Sequence, residues 1–223
     1  MSRKLFQVID FDRTIFDTAL FIEALTTYVD REHPGLGKGL KEAVEAAYKQ
    51  EKTFFLLRYL REALGLKKFE ALVDQVILEN GSEAFFLPGA RERLAMAESL
   101  TDARPAFGIV TFGDEVDQLM KIHAVKLDMV PVLVTKTPQK AEVVASWLTP
   151  TGYFRLPEVF GGTLVEEITI EDDKLRAFHD LPENVTGIWV MEDPGEKIND
   201  MPVGIHHVKN LRESIQLLKE LYP

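Results

Sequence analysis

Two acidic residues stand two positions apart where the first apolar run of the sequence ends. The stretch VIDFDRT, residues 8–14, contains Asp10 and Asp12. Asp10 directly follows the apolar run and is predicted to be fixed by a strand, which suits a nucleophile that forms a covalent intermediate. Asp12 lies on the turn behind it and is predicted to face the same side, which suits a group that gives and takes protons. The spacing therefore indicates a reaction centre, although an Asp at a strand end is also typical of a helix cap.

Polar residues follow other apolar runs as well. Thr111 ends one of them, and an acidic triplet at 171–173 ends another. Lys136 and Lys140 flank the start of a predicted helix, and we favour Lys140 because it falls in the first turn. In an open parallel sheet the ligand crevice lies beyond the carboxyl ends of the strands. These residues are therefore predicted to converge on one edge of a sheet.

Several carboxylates on one edge repel one another unless a cation neutralises them, and an all-oxygen set of ligands suits Mg²⁺. The predicted metal ligands are Asp10, Asp12, Asp172 and Asp173, with Glu171 as the fallback because the register of the triplet is open by one residue. A metal cation together with a nearby lysine commonly binds and polarises a phosphoryl group in enzymes. The predicted chemistry is therefore phosphoryl transfer, with Asp10 attacking phosphorus and Asp12 protonating the leaving alkoxide.

The remaining groups have roles in the same chemistry. Thr111 is predicted to donate a hydrogen bond to a phosphoryl oxygen, and Lys140 to offset the charge on Asp10 and the phosphate. Backbone N–H groups of the turn after Asp10 are predicted to add an anion-binding site. The predicted substrate and phosphate ligands are Phe11, Thr14, Thr111, Phe112 and Lys140.

Short apolar runs rich in β-branched residues must position this chemistry. Because they are apolar on both faces, they are predicted to be buried strands of a parallel sheet covered by helices, which makes the fold class α/β. The predicted strands are 5–9, 106–110, 130–134, 163–170, 185–190 and 203–208. Amphipathic segments alternate with them, and the predicted helices are 88–100, 114–125, 138–148, 174–181 and 210–221.

One long segment interrupts this alternation directly after the first strand. Residues 18–87 contain four helical patterns and no convincing strand, and Asp17 is the expected cap of the first of these helices. Insertions at the carboxyl ends of parallel strands lie over the ligand crevice. We therefore predict an α/β core of residues 1–17 and 88–223 and an inserted helical cap domain of residues 18–87.

Composition limits the classes of function. The chain has 223 residues and 46% hydrophobic content, enough for a substantial core, and no cysteine, which excludes disulfides and thiol catalysis. A formal net charge of -10 argues against a nonspecific nucleic-acid surface. The first apolar run is too short for a signal peptide and no later run could span a bilayer, so a cytoplasmic location and no membrane partner are expected. Oligomeric state stays open.

In order along the chain, these residues resemble the motifs of the haloacid dehalogenase superfamily of phosphohydrolases. DFDRT at 10–14 resembles the first motif, Asp-x-Asp-x-Thr, and the strand end at Thr111 resembles the second. Lys140 resembles the third, and the stretch ITIEDD at 168–173 resembles the fourth. The resemblance covers almost the whole chain and implies a Rossmann-like, doubly wound parallel sheet. The long helical segment between motifs one and two is similar to the cap of one class of the family.

The resemblance implies a Mg²⁺-dependent phosphatase whose partner is a small phosphorylated metabolite. Three alternatives stay open: a dehalogenase, a phosphomutase, and a binding or regulatory protein with little turnover. Arg13 departs from the family, which commonly has Gly at this position. The turn is therefore expected to lack a residue free to adopt a positive φ, and the arginine side chain to project toward solvent or substrate.

Overall fold

A six-stranded sheet forms the centre of the larger part of the protein. The computed structural model describes residues 4–49, 55–101, 104–195 and 201–223. In these ranges the strands are β1 Leu5–Ile9, β2 Phe107–Phe112, β3 Val132–Thr135, β4 Phe154–Arg155, β5 Leu164–Val165, β6 Glu167–Asp172, β7 Val185–Val190 and β8 Ile205–Val208. The main sheet has the order β3-β2-β1-β6-β7-β8, and every neighbouring pair in it is parallel. The predicted α/β class with a parallel sheet is confirmed.

The register of this sheet brings the ends of three strands together. Ile9, the last residue of β1, pairs with Ile109 on one side and with Glu171 on the other. The backbone N–H of Asp10 continues the ladder by donating to the carbonyl of Glu171 at 2.9 Å. The residues that follow β1, β2 and β6 must therefore lie side by side at one edge. All five residues of β1 are buried, as expected for a central strand covered on both faces.

Eight α-helices are present in the described ranges. They are α1 Thr18–Glu32, α2 Pro34–Lys49, α3 Leu56–Leu64, α4 Leu66–Asn80, α5 Ala90–Ser99, α6 Glu115–Ala124, α7 Lys140–Ala145 and α8 Leu211–Leu221. The caps of two helices are as predicted: Asp17 accepts a hydrogen bond from the N–H of Leu20, and Asn210 accepts from two amides of the first turn of α8. None of the helices in the described ranges is both long enough and apolar enough to cross a membrane.

The chain divides into two compact units. The first comprises residues 1–16, 86–114 and 129–223 and holds the main sheet; the second comprises 17–85 and 115–128 and holds α1 to α4 together with α6. Helix α6, which the predicted division assigned to the core, joins the second unit through contacts such as Arg61 Nη1 to Asp117 Oδ1 at 3.3 Å. The predicted role of residues 18–87 as a cap stays a prediction.

Two predicted elements differ from the structure. The run 163–170 is two strands rather than one: β5 pairs antiparallel with β4, and β6 begins after Glu166, whose N–H turns to the carbonyl of Lys4 at 2.8 Å. The predicted helix at 174–181 is a 3₁₀ helix, Leu175–Phe178, followed by a left-handed residue, Asp180, at φ 56°. In both places the apolar pattern is present, but at the break between β5 and β6 a backbone partner far away in sequence decides the conformation.

Candidate active site

Three buried carboxylates meet at the carboxyl edge of the main sheet. Asp10 follows β1, Asp172 ends β6 and Asp173 follows it. Each offers a carboxylate oxygen within 4.8 Å of the others, and all three residues are buried. Carboxylate oxygens at this spacing are the ligands of hard divalent cations. This group, called the acid cluster below, can hold a metal ion.

Lys140 is the cation of the site. It is the first residue of α7, its exposed fraction is only 3%, and its Nζ donates to Asp10 Oδ1 at 2.7 Å. The same ammonium group also donates to Asp172 Oδ2. Lys136, the alternative, is exposed on the turn before this helix. The geometry therefore places Lys140, and not Lys136, against the acid cluster.

The turn after Asp10 holds that residue from the other side. Thr14 is fully buried and its hydroxyl donates to Asp10 Oδ2 at 2.8 Å. Phe11 is also buried, stacks on Phe16 with ring centroids 4.8 Å apart, and its carbonyl accepts from the N–H of Phe16 at 3.0 Å. The predicted phosphate contact of Thr14, through the backbone N–H groups of this turn, stays a prediction, while its hydroxyl orients Asp10. The side chain of Phe11 belongs to the core, so only its backbone is suited to the predicted phosphate contact.

The expectation for Arg13 was wrong in its backbone part. Arg13 itself adopts the left-handed conformation, with φ 65°. The turn therefore forms with arginine where glycine is the residue freest to do so. The expected projection of the side chain is observed: it is 65% exposed, and its Nε lies 3.6 Å from Asp173 Oδ2.

A small cavity of about 40 Å³ lies over the acid cluster, and Asp12, Thr111, Phe112 and Lys174 are among its lining residues. Thr111 is 1% exposed, and its hydroxyl has no hydrogen-bond partner among the residues that the structure describes. Because a buried hydroxyl is normally paired, it is suited to a ligand in this cavity. Phe112 ends β2 half-exposed beside it. Asp12 differs from the prediction in one respect: it lines the cavity but is not one of the three clustered acids, since it lies on the turn beyond the strand.

Glu171, the fallback metal ligand, faces away from the acid cluster. Its carboxylate accepts from Arg93 Nε at 2.8 Å and from the hydroxyl of Ser214, and all three residues are buried. Alternation along β6 explains this, because successive side chains point to opposite faces of a sheet. The structure thus assigns Asp172 and Asp173 to the cluster and Glu171 to a buried ion pair behind it.

Sequence reasoning missed the supporting contacts of the site. Arg93 lies on the buried stripe of α5 with Ala90, Leu94 and Ala97, so an arginine on an apolar stripe was the available signal. Trp189 in β7 donates its indole N–H to the carbonyl of Asp173 at 3.1 Å. No local pattern marks that contact, because it depends on the pairing of β6 with β7.

The electrostatics of the acid cluster favour a bound cation. Burial and the nearby charge of Asp10 raise the pKa of Asp172 to about 7. The same two causes raise the pKa of Asp173. Burial alone would lower the pKa of Lys140, but the carboxylates of Asp10 and Asp172 outweigh it and raise that pKa above its ordinary value. Lys140 is buried against these carboxylates, whereas Arg13 and Lys174 reach Asp173 only at 3.6 Å from side chains that are 65% and 42% exposed. A divalent cation would stabilise the charged forms of the buried acids.

No protein-family model matches the sequence. No curated protein matches it either. Solved structures do match. A protein named as a haloacid dehalogenase-like hydrolase from Burkholderia xenovorans superposes with a TM-score of 0.63 at 18% identity, covering 98% of both chains. A protein named as a hydrolase of the same kind from Bacillus subtilis, bound to magnesium, gives 0.54 at 16% identity and covers 97% of this chain and 99% of its own.

A third match is a protein named as a β-phosphoglucomutase from Thermotoga maritima, with a TM-score of 0.53 at 15% identity, covering 97% of this chain and 99% of its own. At such identities these similarities establish the fold. The chain has the haloacid dehalogenase-like fold over nearly its whole length, which confirms the resemblance found in its motifs at the level of structure.

Proposed function

We propose that this chain, with its haloacid dehalogenase-like fold, is a Mg²⁺-dependent phosphohydrolase that cleaves a phosphate monoester of a small metabolite through an aspartyl-phosphate on Asp10. The observation that carries the proposal is the environment of Asp10. Its two carboxylate oxygens are held by Lys140 and Thr14, 2.7 Å and 2.8 Å away, beside two further acids. A nucleophile fixed in this way loses little freedom when it attacks.

The first step is attack of Asp10 on phosphorus. A carboxylate oxygen forms a bond to phosphorus while the bond from phosphorus to the ester oxygen breaks, which leaves an acyl phosphate on Asp10. Lys140 offsets the negative charge of nucleophile and phosphoryl group. The hydroxyl of Thr111, which has no partner among the described residues, is available to donate to a phosphoryl oxygen in the cavity that Thr111 and Lys140 line.

Asp12 moves the protons. It lines the same cavity and would give its proton to the departing alkoxide, so that an alcohol leaves. The carboxylate then takes a proton from the water that attacks the acyl phosphate, which releases inorganic phosphate and restores Asp10. Both steps use one group in its two protonation states, so the enzyme ends in the state in which it began.

The acid cluster fits Mg²⁺. Asp10, Asp172 and Asp173 would hold it, and the buried Oδ1 of Asp173 has no hydrogen-bond partner in the described ranges. When bound, the ion would neutralise the acid cluster and polarise the phosphoryl group. The magnesium named for the Bacillus subtilis structure supports this choice of cation.

The same fold serves other reactions, and a dehalogenase is the first alternative. Displacement of a halide needs no acid for an alkoxide leaving group, whereas cleavage of a phosphate ester does. The position of Asp12 beside Thr111 and Lys140 therefore supports the phosphohydrolase. A cytoplasmic location and the role of residues 18–87 as a specificity-giving cap belong to the same proposal.

A generic phosphate ester tests the proposal. Purified protein would be assayed with nitrophenyl phosphate, with and without Mg²⁺, beside Asp10→Asn. Asp180→Asn is the matched control, because Asp180 is an exposed residue outside the site. We expect metal-dependent release of phosphate in the wild type and the control, and none in Asp10→Asn. Equal release by wild type and Asp10→Asn would remove Asp10 from the mechanism. No release across a broad panel of esters would favour a binding or regulatory protein.

A further inference from the structure

Arg13 has a backbone conformation that its side chain does not favour. Its φ of 65° lies in the left-handed region, which costs most residues other than glycine of the order of 1 kcal/mol. Such strain persists where the surrounding structure imposes it, and it is common at functional sites. The side chain does little for the fold in return, because it is itself 65% exposed and its contact with Asp173 is long, at 3.6 Å. The fold alone therefore does not explain why an arginine occupies this position.

A cavity beside Arg13 suggests a functional role for its side chain. It has a volume of about 510 Å³ and is lined by Arg13, Thr14, Asp173 and Lys209, among others. This size is in the range of small-molecule sites. Two of the lining residues connect it to the candidate active site: Asp173 belongs to the acid cluster, and Thr14 donates to Asp10. The two cavities share no lining residue, but each is lined by part of the acid cluster, this one by Asp173 and the smaller one by Asp10 and Asp172.

The charges of this cavity favour an anion. Arg13 and Lys209 are its two basic residues, and both are exposed; Asp173 and Glu192 are its acids. A metal ion at the acid cluster would neutralise Asp173 and leave two cations facing one acid. In a chain of formal net charge -10, two basic side chains that line one cavity favour an anionic ligand there. Guanidinium and ammonium groups bind carboxylate and phosphate oxygens by charge-assisted hydrogen bonds.

We propose that this cavity binds the part of the substrate beyond the ester oxygen, and that Arg13 and Lys209 bind a second anionic group there, a carboxylate or a second phosphate. The substrate class would then be phosphate monoesters that carry two anionic groups. This inference rests on the proposed function for its site, but it concerns a different set of residues. It explains why a strained arginine occupies a position where glycine would fold without strain.

Binding to a protein that does not consume the ligand tests the inference. We would use Asp10→Asn with Mg²⁺ and measure by calorimetry the affinity for three probes: phosphorylated hydroxypropanoate, its carboxamide, and the propanediol bisphosphate. The carboxamide is the matched neutral probe. The same titrations would be made after adding Arg13→Gly, Lys209→Met or, as a control, Lys219→Met, since Lys219 is exposed on α8 and lies outside the cavity.

We expect the acid, the bisphosphate or both to bind about 10–100-fold more tightly than the carboxamide, as a charge-assisted hydrogen bond implies. Arg13→Gly and Lys209→Met should each remove most of this preference, and Lys219→Met should retain it. Preference for the acid alone or for the bisphosphate alone would identify the second group. Equal affinities for all three probes would overturn the inference. The inference would also be overturned if Arg13→Gly lowered the affinity for all three probes by the same factor and raised the Mg²⁺ concentration needed for binding, because Arg13 would then act only on Asp173.

Failure of this inference is distinguishable from failure of the proposed function. If the wild type releases phosphate through Asp10 but the affinities for the three probes are equal, the inference is wrong and the proposed function stands. If it releases none but prefers the doubly anionic probes in an Arg13-dependent manner, the cavity is a binding site for such esters and the hydrolytic function falls. The melting temperature of Arg13→Gly separates a third outcome: a large loss of stability would make Arg13 a structural residue and contradict the inference.

Discussion

Lys140→Met is the most informative single substitution in the site, because methionine keeps the length of the buried stem and removes the charge. The ammonium group donates to Asp10 at 2.7 Å and also to Asp172, and all three residues are buried. Breaking a buried ion pair by removing one partner costs about 3–5 kcal/mol, because an uncompensated charge is left behind. For a chain of this size, that loss lowers the melting temperature by about 6–20 °C.

The loss should depend on pH in a defined direction. The folded-state pKa of Asp172 is raised to about 7 from its ordinary 3.8, so its protonated form is favoured by folding. Stability contributed by such a group is present below the ordinary value and is lost as pH rises through the folded value. In Lys140→Met, a proton on Asp172 can replace the missing ammonium at low pH. The stability deficit should therefore be large at about pH 8 and smaller at about pH 5.5.

Metal-free thermal and urea unfolding at both pH values would measure these effects, with Lys136→Met as the control. Lys136 is exposed, so its loss should change stability by less than about 0.5 kcal/mol. Equal melting temperatures for Lys140→Met and Lys136→Met at about pH 8 would refute the reasoning, as would a deficit that does not shrink on acidification.

Three further predictions follow from the same contacts. Thr14→Val should lower kcat for a phosphate ester by about 10–100-fold, because the hydrogen bond to the Asp10 carboxylate is lost, and Thr14→Ser should retain most of the rate. Steady-state kinetics would measure this, and an unchanged kcat in Thr14→Val would contradict it. Glu171→Gln should destabilise the protein by about 3–5 kcal/mol in urea, because Arg93 keeps its charge without a counter-ion, while Mg²⁺ affinity stays the same; a changed affinity would return Glu171 to the metal site. Mg²⁺ at about 100 times its Kd should raise the unfolding free energy of the wild type by about 2.7 kcal/mol and that of Asp173→Asn by little. Mg²⁺ should bind more tightly at about pH 8 than at about pH 5.5, and calorimetry that gives the same Mg²⁺ affinity at both pH values would contradict this.

The sequence located most of the fold and brought several of the candidate site residues to the correct edge of the sheet. All six predicted strands overlap strands of the main sheet, and Asp10, Lys140, Asp172 and Asp173 meet at its edge as expected. These predictions succeed because they depend on the local apolar pattern and on one geometric rule, that parallel strands present their carboxyl ends together. The same rule does not say what each polar side chain contacts.

The features that the sequence did not predict depend either on a closed turn or on a contact between distant segments. The predicted phosphate contact of Thr14 stays a prediction, but the hydrogen bond from its hydroxyl to Asp10, formed within the tight turn, was not foreseen. The break between β5 and β6 arises because the N–H of Glu166 pairs with Lys4, which is far away in sequence. The left-handed conformation of Arg13 was not expected, because side-chain preference argues against it. In each case a tertiary contact or a closed turn overrides a preference that can be read locally.

Trapping the covalent intermediate tests the central claim most directly. The protein would be mixed with Mg²⁺ and nitrophenyl phosphate labelled in its phosphoryl group, quenched in acid and digested. Nitrophenolate leaves without an acid, so Asp12→Ala should form the intermediate and hydrolyse it slowly. We predict label that hydroxylamine removes on the peptide containing Asp10, more of it in Asp12→Ala, and none in Asp10→Asn. Phosphate release with no labelled peptide, or label on another residue, would contradict an aspartyl-phosphate at Asp10.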